Sequence, residues 1–154
     1  MKTRLSLLCI AAILAGCASD SLPLAGTPAY QGGPPGGSVS ASLQAYKIAL
    51  ANRIAAVNSD KMYTGRPQAL LRSVVVVKYV VDGDGRLLRS EIMRSNRDRS
   101  TEATALATLR NSAPFPRPDA HLMRHGRLEL AETWLFNNDG RFQLRSTAQR
   151  QIDE

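Results

Sequence analysis

The stretch that decides the fold is Ser-Val-Val-Val-Val-Lys-Tyr-Val-Val, which spans residues 73–81. Its β-branched and aromatic residues form a nearly unbroken apolar run, which is typical of a central strand covered on at least one face. Asp-Gly-Asp-Gly at residues 82–85 predicts a tight turn, because these residue types tolerate positive φ. Residues 86–94 predict a second strand, with Leu88 and Ile92 in phase. We therefore expect an antiparallel hairpin.

A helix is predicted on each side of this hairpin. The first would be capped by Ser40 or Ser42 and would end around residues 58–60. Its apolar stripe has steps of three or four and consists of Leu43, Tyr46, Leu50, Ile54 and Val57. The second spans about residues 100–112 and ends before Pro-Phe-Pro, since proline cannot continue a helix. Its short buried stripe consists of Ala103, Leu106, Leu109 and Ala113.

Two further strands are predicted near the C-terminus. Residues 127–136 alternate in polarity, as a strand with one buried face does. The face that would point to the core consists of Leu128, Leu130, Trp134 and Phe136. After a turn at residues 137–140, residues 142–144 would add a short fourth strand. The predicted fold class is therefore α+β, a small two-layer domain of order α-β-β-α-β with two helices packed on a three-stranded antiparallel sheet.

The N-terminus predicts export and lipid attachment. Residues 1–16 begin with Lys2 and Arg4, continue with a short apolar run, and end in Leu-Ala-Gly before Cys17. The run is too short for a transmembrane helix, which needs about 20 apolar residues. Leu-Ala-Gly-Cys resembles the lipobox of bacterial lipoproteins, which implies cleavage before Cys17 and a lipid on its thiol. By the same resemblance, the Ala-Ser pair after Cys17, which lacks Asp, favours delivery to the outer membrane, with the domain facing the periplasm.

Composition separates the rest of the chain into a tether, a domain and a tail. Residues 17–40 are rich in Gly and Pro and have few large apolar side chains, so we expect a flexible tether. Residues 41–146 form the predicted domain, and residues 147–154 form a polar tail. Loss of the signal peptide lowers the formal net charge of +7 by two. Export makes nucleic acid an unsuitable partner for this basic chain, whereas envelope proteins and, through the lipid, a membrane are suitable ones.

The order of these features resembles the TonB C-terminal domain family, with its TonB- and TolA-like proteins. The resemblance covers residues 43–146 and includes the Val-rich strand, the Asp-Gly turn, a second strand ending in Arg-Ser, an Ala/Leu helix, Pro-Phe-Pro, Glu-Thr-Trp-Leu-Phe and Asp-Gly-Arg-Phe-Gln-Leu-Arg. It implies recognition by strand addition, in which a sheet edge pairs with an extended segment of an outer-membrane receptor. The matching edge strand consists of Arg127, Leu128, Glu129, Leu130, Ala131, Glu132, Thr133, Trp134, Leu135 and Phe136.

Two differences from TonB itself indicate an accessory role. The chain shows no N-terminal transmembrane helix that would connect it to proton-driven partners, and no long Pro-rich spacer that would cross the periplasm. We therefore expect an adaptor in envelope transport without energy transduction of its own. Two alternatives remain for the edge: residues 142–144 would cover it, or it would pair with a second copy to form a homodimer.

A basic run gives an alternative function. Residues 86–99 contain five arginines against Glu91 and Asp98. If these arginines share one face, they would hold a structural lipoprotein against peptidoglycan or anionic lipid. The residues concerned are Arg86, Arg89, Arg94, Arg97 and Arg99.

The sequence contains no recognisable catalytic or metal-binding motif. His121 and His125 are four residues apart, but no Cys or Glu cluster accompanies them and nearby prolines favour a loop. The Asp-Gly-Asp-Gly turn fails the calcium-loop pattern, since position twelve is Met93 or Ser95 instead of Glu. Gly-x-Ser-x-Gly, phosphate-binding and dinucleotide-binding motifs do not occur. We expect a protein that is not an enzyme and that needs no cofactor or metal.

Overall fold

The computed structural model describes residues 35–149 of the chain. The predicted signal peptide, Cys17, most of the predicted tether and residues 150–154 lie outside the described residues. Within residues 35–149, no helix is both long enough and apolar enough to cross a lipid bilayer.

The described part of the chain contains two α-helices and four strands. In chain order they are α1 (Pro35–Val57), β1 (Ser73–Asp82), β2 (Leu87–Arg94), α2 (Arg99–Asn111), β3 (Arg127–Phe136) and β4 (Phe142–Leu144). Two short 3₁₀ helices, at Ser59–Lys61 and Ala120–Leu122, lie in the connections. The α+β class and the order of elements are confirmed, and the short fourth strand is present.

Helix α1 begins earlier than the sequence predicts. It starts at Pro35 instead of at Ser40 or Ser42. Proline suits the first turn of a helix, because its fixed φ is helical and its missing N–H would have no partner there. Residues 35–40, the end of the predicted tether, therefore belong to the helix.

Strand β1 is the centre of an antiparallel sheet with the order β2-β1-β3-β4. It pairs with β3 along its whole length, from Ser73 opposite Phe136 to Asp82 opposite Arg127. Its pairing with β2 contains two irregularities, one after Val76 and one after Val80. The Val-rich run is central, as predicted, because β-branched side chains pack well between two neighbouring strands.

One face of the sheet packs against the helices and forms the core. Alternation along β1 and β3 sends every second side chain to this face. Val74, on the opposite face, is 39% exposed, so the domain has two layers. The main core residues are Tyr46, Leu50 and Ile54 of α1, Val75, Val77, Tyr79 and Val81 of β1, and Leu130, Trp134 and Phe136 of β3.

Helix α2 buries a different face from the predicted one. Of the predicted stripe, only Leu109 is fully buried, whereas Ala103 is exposed and both Leu106 and Ala113 are half-buried. The fully buried positions are Thr101, Ala105, Thr108, Leu109 and the capping residue Ser112. The prediction was wrong here because it counted apolar residues alone, whereas hydroxyl side chains take three of the buried positions.

Hydrogen bonds within the helix make these hydroxyls compatible with burial. Thr108 Oγ1 donates to the carbonyl of Ala105 at 3.0 Å, and Ser112 Oγ donates to the carbonyl of Thr108 at 2.7 Å. Thr108 Oγ1 also accepts a hydrogen bond of 3.1 Å from Trp134 Nε1. A buried hydroxyl with satisfied partners costs little, and its small size lets α2 lie close to the sheet.

A second polar side chain takes a predicted core position at the end of α1. Val57, predicted to be buried, is 38% exposed, and Asn58 is buried in its place. Asn58 Nδ2 lies within hydrogen-bond distance of the Ile54 carbonyl at 2.8 Å and of Ser112 Oγ at 3.1 Å. These contacts tie the C-terminal ends of the two helices together.

The β1–β2 turn is fixed by contact with the Pro-Phe-Pro segment. Gly85 has a φ of 79°, and its carbonyl accepts a hydrogen bond of 2.8 Å from the backbone N–H of Phe115. A Cβ atom on Gly85 would lie 2.0 Å from the carbonyl oxygen of Phe115. Gly126 has a similar φ of 72°, but nothing lies within 4 Å of its Cβ position.

We predict that Gly85→Ala destabilises the domain much more than Gly126→Ala. Both variants place alanine in the left-handed region, but only the first forces the turn and the Phe115 backbone apart. We expect the free energy of unfolding to fall by about 3 kcal/mol for Gly85→Ala and by about 1 kcal/mol for Gly126→Ala. Urea unfolding measures both values, and equal losses would show that the contact with Phe115 does not constrain the turn.

Two tyrosines lie in the core beneath the sheet. Tyr46 Oη donates a hydrogen bond of 2.8 Å to the carbonyl of Pro116. Burial raises the pKa of Tyr46 to about 12. Burial also raises the pKa of Tyr79, and the negative charges of Glu132 and of ionised Tyr46 add to this effect. Both phenols are therefore held in the neutral form by the fold.

We predict that stability falls at alkaline pH because of these phenols. A phenol stabilises the fold when its pKa in the folded state lies above its value of about 10 in the unfolded chain. This contribution is fully present below about pH 10 and is lost as pH rises through the pKa of the folded state. The free energy of unfolding, measured with urea at pH 8 and pH 11, should decrease less with pH in Tyr46→Phe than in the unmodified protein. Identical pH profiles for Tyr46→Phe and the unmodified protein would contradict the prediction.

Candidate functional site

The predicted partner-binding strand, β3, is covered along its C-terminal part. Strand β4 pairs with Trp134, Leu135 and Phe136. The backbone N–H of Arg145, just beyond β4, donates to the carbonyl of Thr133 at 2.9 Å. The alternative that residues 142–144 cover this edge therefore holds for the end of the strand.

A buried carboxylate protects the next position on the same edge. Glu132 is only 4% exposed and lies on the core face between Leu130 and Trp134. Its Oε1 accepts hydrogen bonds from the backbone N–H groups of Thr133, at 2.7 Å, and Ser146, at 3.4 Å. The sequence analysis missed this role, although an acidic residue in phase with two core residues was a signal for it.

A turn covers the other end of β3. The N–H of Arg124 donates to the carbonyl of Arg127 at 2.8 Å, and the N–H of Arg127 donates back at 3.1 Å. Since outward backbone groups alternate along a strand, only those of Glu129 and Ala131 remain unpaired among the described residues. The prediction that residues 127–136 form an open edge is therefore wrong for most of the strand.

The outer edge of β2 is open instead. The backbone N–H and C=O groups of Tyr79 in β1 point to β3. The backbone groups of the residues on either side of Tyr79 therefore point to β2, where they pair with those of Arg89 and Glu91. The N–H and C=O groups of Ser90 and Ile92 consequently point away from the sheet. No strand in residues 35–149 pairs with β2 on this side.

A groove runs beside this open edge. It has a volume of about 490 Å³ and is lined by Leu87, Leu88, Arg89 and Ser90 of β2 and by Arg110 and Ala113 at the end of α2. Arg110 and Ala113 continue the stripe of Ala103 and Leu106 at helical spacing. Of the stripe that was predicted to be core, Leu106 and Ala113 are thus left half-covered on the side of the helix that reaches the groove.

The five arginines of the basic run are spread over β2 and the segments on either side of it. Arg86 lies in the β1–β2 turn, 3.7 Å from a carboxylate oxygen of Asp84, and Arg94 lies at the far end of β2, roughly 25 Å away along the strand. Arg97 and Arg99 follow in the loop and in the first turn of α2. Arg89 lies opposite Val80 and Arg94 opposite Val76, so these two arginines share a face of the sheet. A single face that includes all five arginines of residues 86–99 stays a prediction.

Arginines from three segments meet elsewhere, around a cleft of about 740 Å³. We call this feature the arginine cleft; it is lined by Val80, Leu88, Arg89, Leu122, Arg124, Arg127, Leu128 and Glu129. Neither Arg124 nor Arg127 forms a salt bridge with any residue in the described range. Sequence analysis missed the cleft, because its arginines are brought together only by the pairing of β1 with both β2 and β3.

The two histidines lie on the surface near this cleft. His121 is in the second 3₁₀ helix, and His125, with a φ of 51°, is in the turn before β3. Both side chains are exposed. Residues 35–149 contain no group of three or more His, Cys, Asp or Glu side chains that could hold a metal ion.

Comparisons with protein-family models, curated proteins and solved structures return no match to this chain. The resemblance to the TonB C-terminal domain family therefore stays a prediction from the sequence. The open β2 edge and the arginine cleft are the features from which a function can be inferred.

Proposed function

We propose that this chain is a non-catalytic, lipid-anchored adaptor of the bacterial cell envelope that captures an extended segment of another envelope protein. The partner segment would add as a strand to the outer edge of β2. The observation that supports this proposal is the open edge at Ser90 and Ile92, which adjoins a groove lined by the end of α2. An unpaired edge of this kind is a template for an extended chain.

An added strand would complete both the sheet and the core. Its backbone would pair with the N–H and C=O groups of Ser90 and Ile92. Its alternate side chains would lie over the half-covered stripe of α2, which includes Leu106 and Ala113, in the same way that β2 lies over the helix now. Main-chain bonds would supply affinity, and the side chains in the groove would supply specificity.

The charge of the groove favours an acidic partner segment. Arg89 and Arg110 line it directly, and within residues 35–149 Arg89 forms a single ion pair, an exposed one with Glu91 at 3.7 Å. Opposite charges across an interface speed association and discriminate against basic partners. We expect a segment that alternates apolar and acidic residues.

The anchor follows from the sequence. A lipid on Cys17 would hold the domain near its membrane, and the Ala-Ser pair that follows favours the outer membrane. The adaptor would therefore act on partners within reach of residues 18–34. The mass of the mature protein tests this anchor. A mass that corresponds to a chain beginning at an unmodified Cys17, or at another residue, would contradict lipid attachment.

The alternative function, a structural lipoprotein that rests on peptidoglycan or anionic lipid, has less support. It relies on Arg86, Arg89, Arg94, Arg97 and Arg99 sharing a face, and the hairpin spreads these residues over roughly 25 Å without a groove in the described residues that collects them. Salt distinguishes the two functions, because adhesion by exposed charges weakens steeply with ionic strength, whereas backbone pairing does so much less.

We predict that photo-crosslinking probes at Leu88 and Met93 capture a discrete protein partner in living cells. These β2 side chains are 48% and 65% exposed, so a probe at either position leaves the core intact. Probes at Glu129 and Ala131 on the short β3 gap should give little adduct. Adducts from β3 alone would move the binding edge to that strand, and silence at all four positions would contradict strand addition.

A proline at Ser90 tests the backbone pairing itself. The Ser90 N–H points away from β1, so proline removes the donor offered to the partner and leaves the β1–β2 ladder in place. We expect Ser90→Pro to abolish the adduct from Met93, and Ser90→Ala, which keeps the N–H, to retain it. If Ser90→Pro does not fold, Arg110→Glu serves instead, because it reverses an exposed charge in the groove. This variant should lower the yield of the Met93 adduct at least as much as high salt does. Undiminished crosslinking in folded Ser90→Pro would exclude pairing at this edge.

A further inference from the structure

The arginine cleft indicates a second ligand, which differs in kind from the partner segment on β2. We propose that the cleft binds a single-chain anionic lipid, with the phosphate or carboxylate among Arg89, Arg124 and Arg127 and the first acyl carbons against the apolar lining. Nothing in this inference depends on strand addition at β2. The two sites share the border residues Leu88 and Arg89.

The charges of the cleft favour an anion. Three guanidinium groups line it against a single carboxylate, that of Glu129. Arg124 and Arg127 have no salt-bridge partner within residues 35–149, and the contact of Arg89 with Glu91 is long and exposed. The planar donor fork of arginine matches the oxygens of a phosphate or a carboxylate and can hold either in a bidentate way.

The apolar part of the lining favours an amphiphile over a bare ion. Val80 and Leu88 come from adjacent strands of the sheet, and Leu122 and Leu128 come from the second 3₁₀ helix and from β3. Leu122 and Leu128 are almost fully buried at its inner side. Inorganic phosphate would leave the exposed Leu88 and the half-buried Val80 in contact with water, whereas an acyl chain would cover them. The volume of about 740 Å³ lies in the usual range for a small-molecule site.

The backbone of the cleft is less suited to a peptide. The outward N–H and C=O groups of Arg127 are already bonded to Arg124. These two bonds, together with the left-handed residues His125 and Gly126, fix the turn that carries both arginines. The turn therefore positions two guanidinium groups beside an apolar surface without offering a strand edge at that point.

Titration calorimetry with dodecyl phosphate, kept below its critical micelle concentration, tests the proposal. The sample is the full mature chain with Cys17→Ser, so that no lipid of its own competes with the probe. We expect saturable binding of dodecyl phosphate and much weaker binding of inorganic phosphate and of dodecyl maltoside. Equal binding of either control ligand, or no binding of dodecyl phosphate, would overturn the proposal.

Matched variants locate the bound probe. The double variant Arg124→Gln/Arg127→Gln should weaken binding by about tenfold or more, because it removes two charge-assisted contacts. The double variant Arg94→Gln/Arg99→Gln removes the same charge away from the cleft, at the end of β2 and in the first turn of α2, and should change binding by less than about twofold. Equal weakening by both would mean non-specific attraction. Changes in the NMR chemical shifts of the amides that are confined to Ser90 and Ile92 would place dodecyl phosphate on the β2 edge. Either non-specific attraction or binding at the β2 edge would exclude the cleft as a lipid site.

Discussion

The pairing of β1 with β3 along the whole of both strands determines where the other elements lie. An antiparallel ladder sends alternate side chains to each face and alternate backbone groups to each neighbouring strand. β1 therefore supplies the core residues that the helices cover. Its backbone groups that do not pair with β3 pair with β2. On the far side of β3, the outward groups are divided among β4, Glu132 and Arg124. The outer groups of β2 remain, besides the short gap at Glu129 and Ala131, and we propose that β2 is where the domain accepts another chain.

Much of this fold can be predicted from the sequence, because β1, the turn at residues 82–85 and β3 have strong local signals. Valine runs, Asp-Gly turns and period-two alternation are properties of neighbouring residues, so they need no knowledge of the rest of the chain. The predicted core leaves out buried polar side chains, among them Asn58, Thr108 and Glu132. Each is buried with hydrogen-bond partners, two of them on distant segments, and such partners cannot be identified from local periodicity.

The candidate sites were harder to predict for a related reason. The resemblance to TonB-like domains assigned binding to β3, but which edge is open depends on what residues 124–146 cover, including a four-residue turn and a single carboxylate. Counting arginines along residues 86–99 grouped side chains that the strand then separates. The arginines that do meet come from β2, from the turn before β3 and from β3 itself, and only the sheet order brings them together.

The sheet thus has one edge that the chain protects by its own residues and one that it leaves unprotected. Amide hydrogen exchange measured residue by residue tests this difference most directly. If the β2 edge is open, the amides of Ser90 and Ile92 exchange rapidly, whereas those of Arg89, Glu91 and the carboxylate-bonded Thr133 are protected. Slow exchange at Ser90 and Ile92, equal to that of Glu91, would show that this edge is covered and would contradict its role as a binding edge.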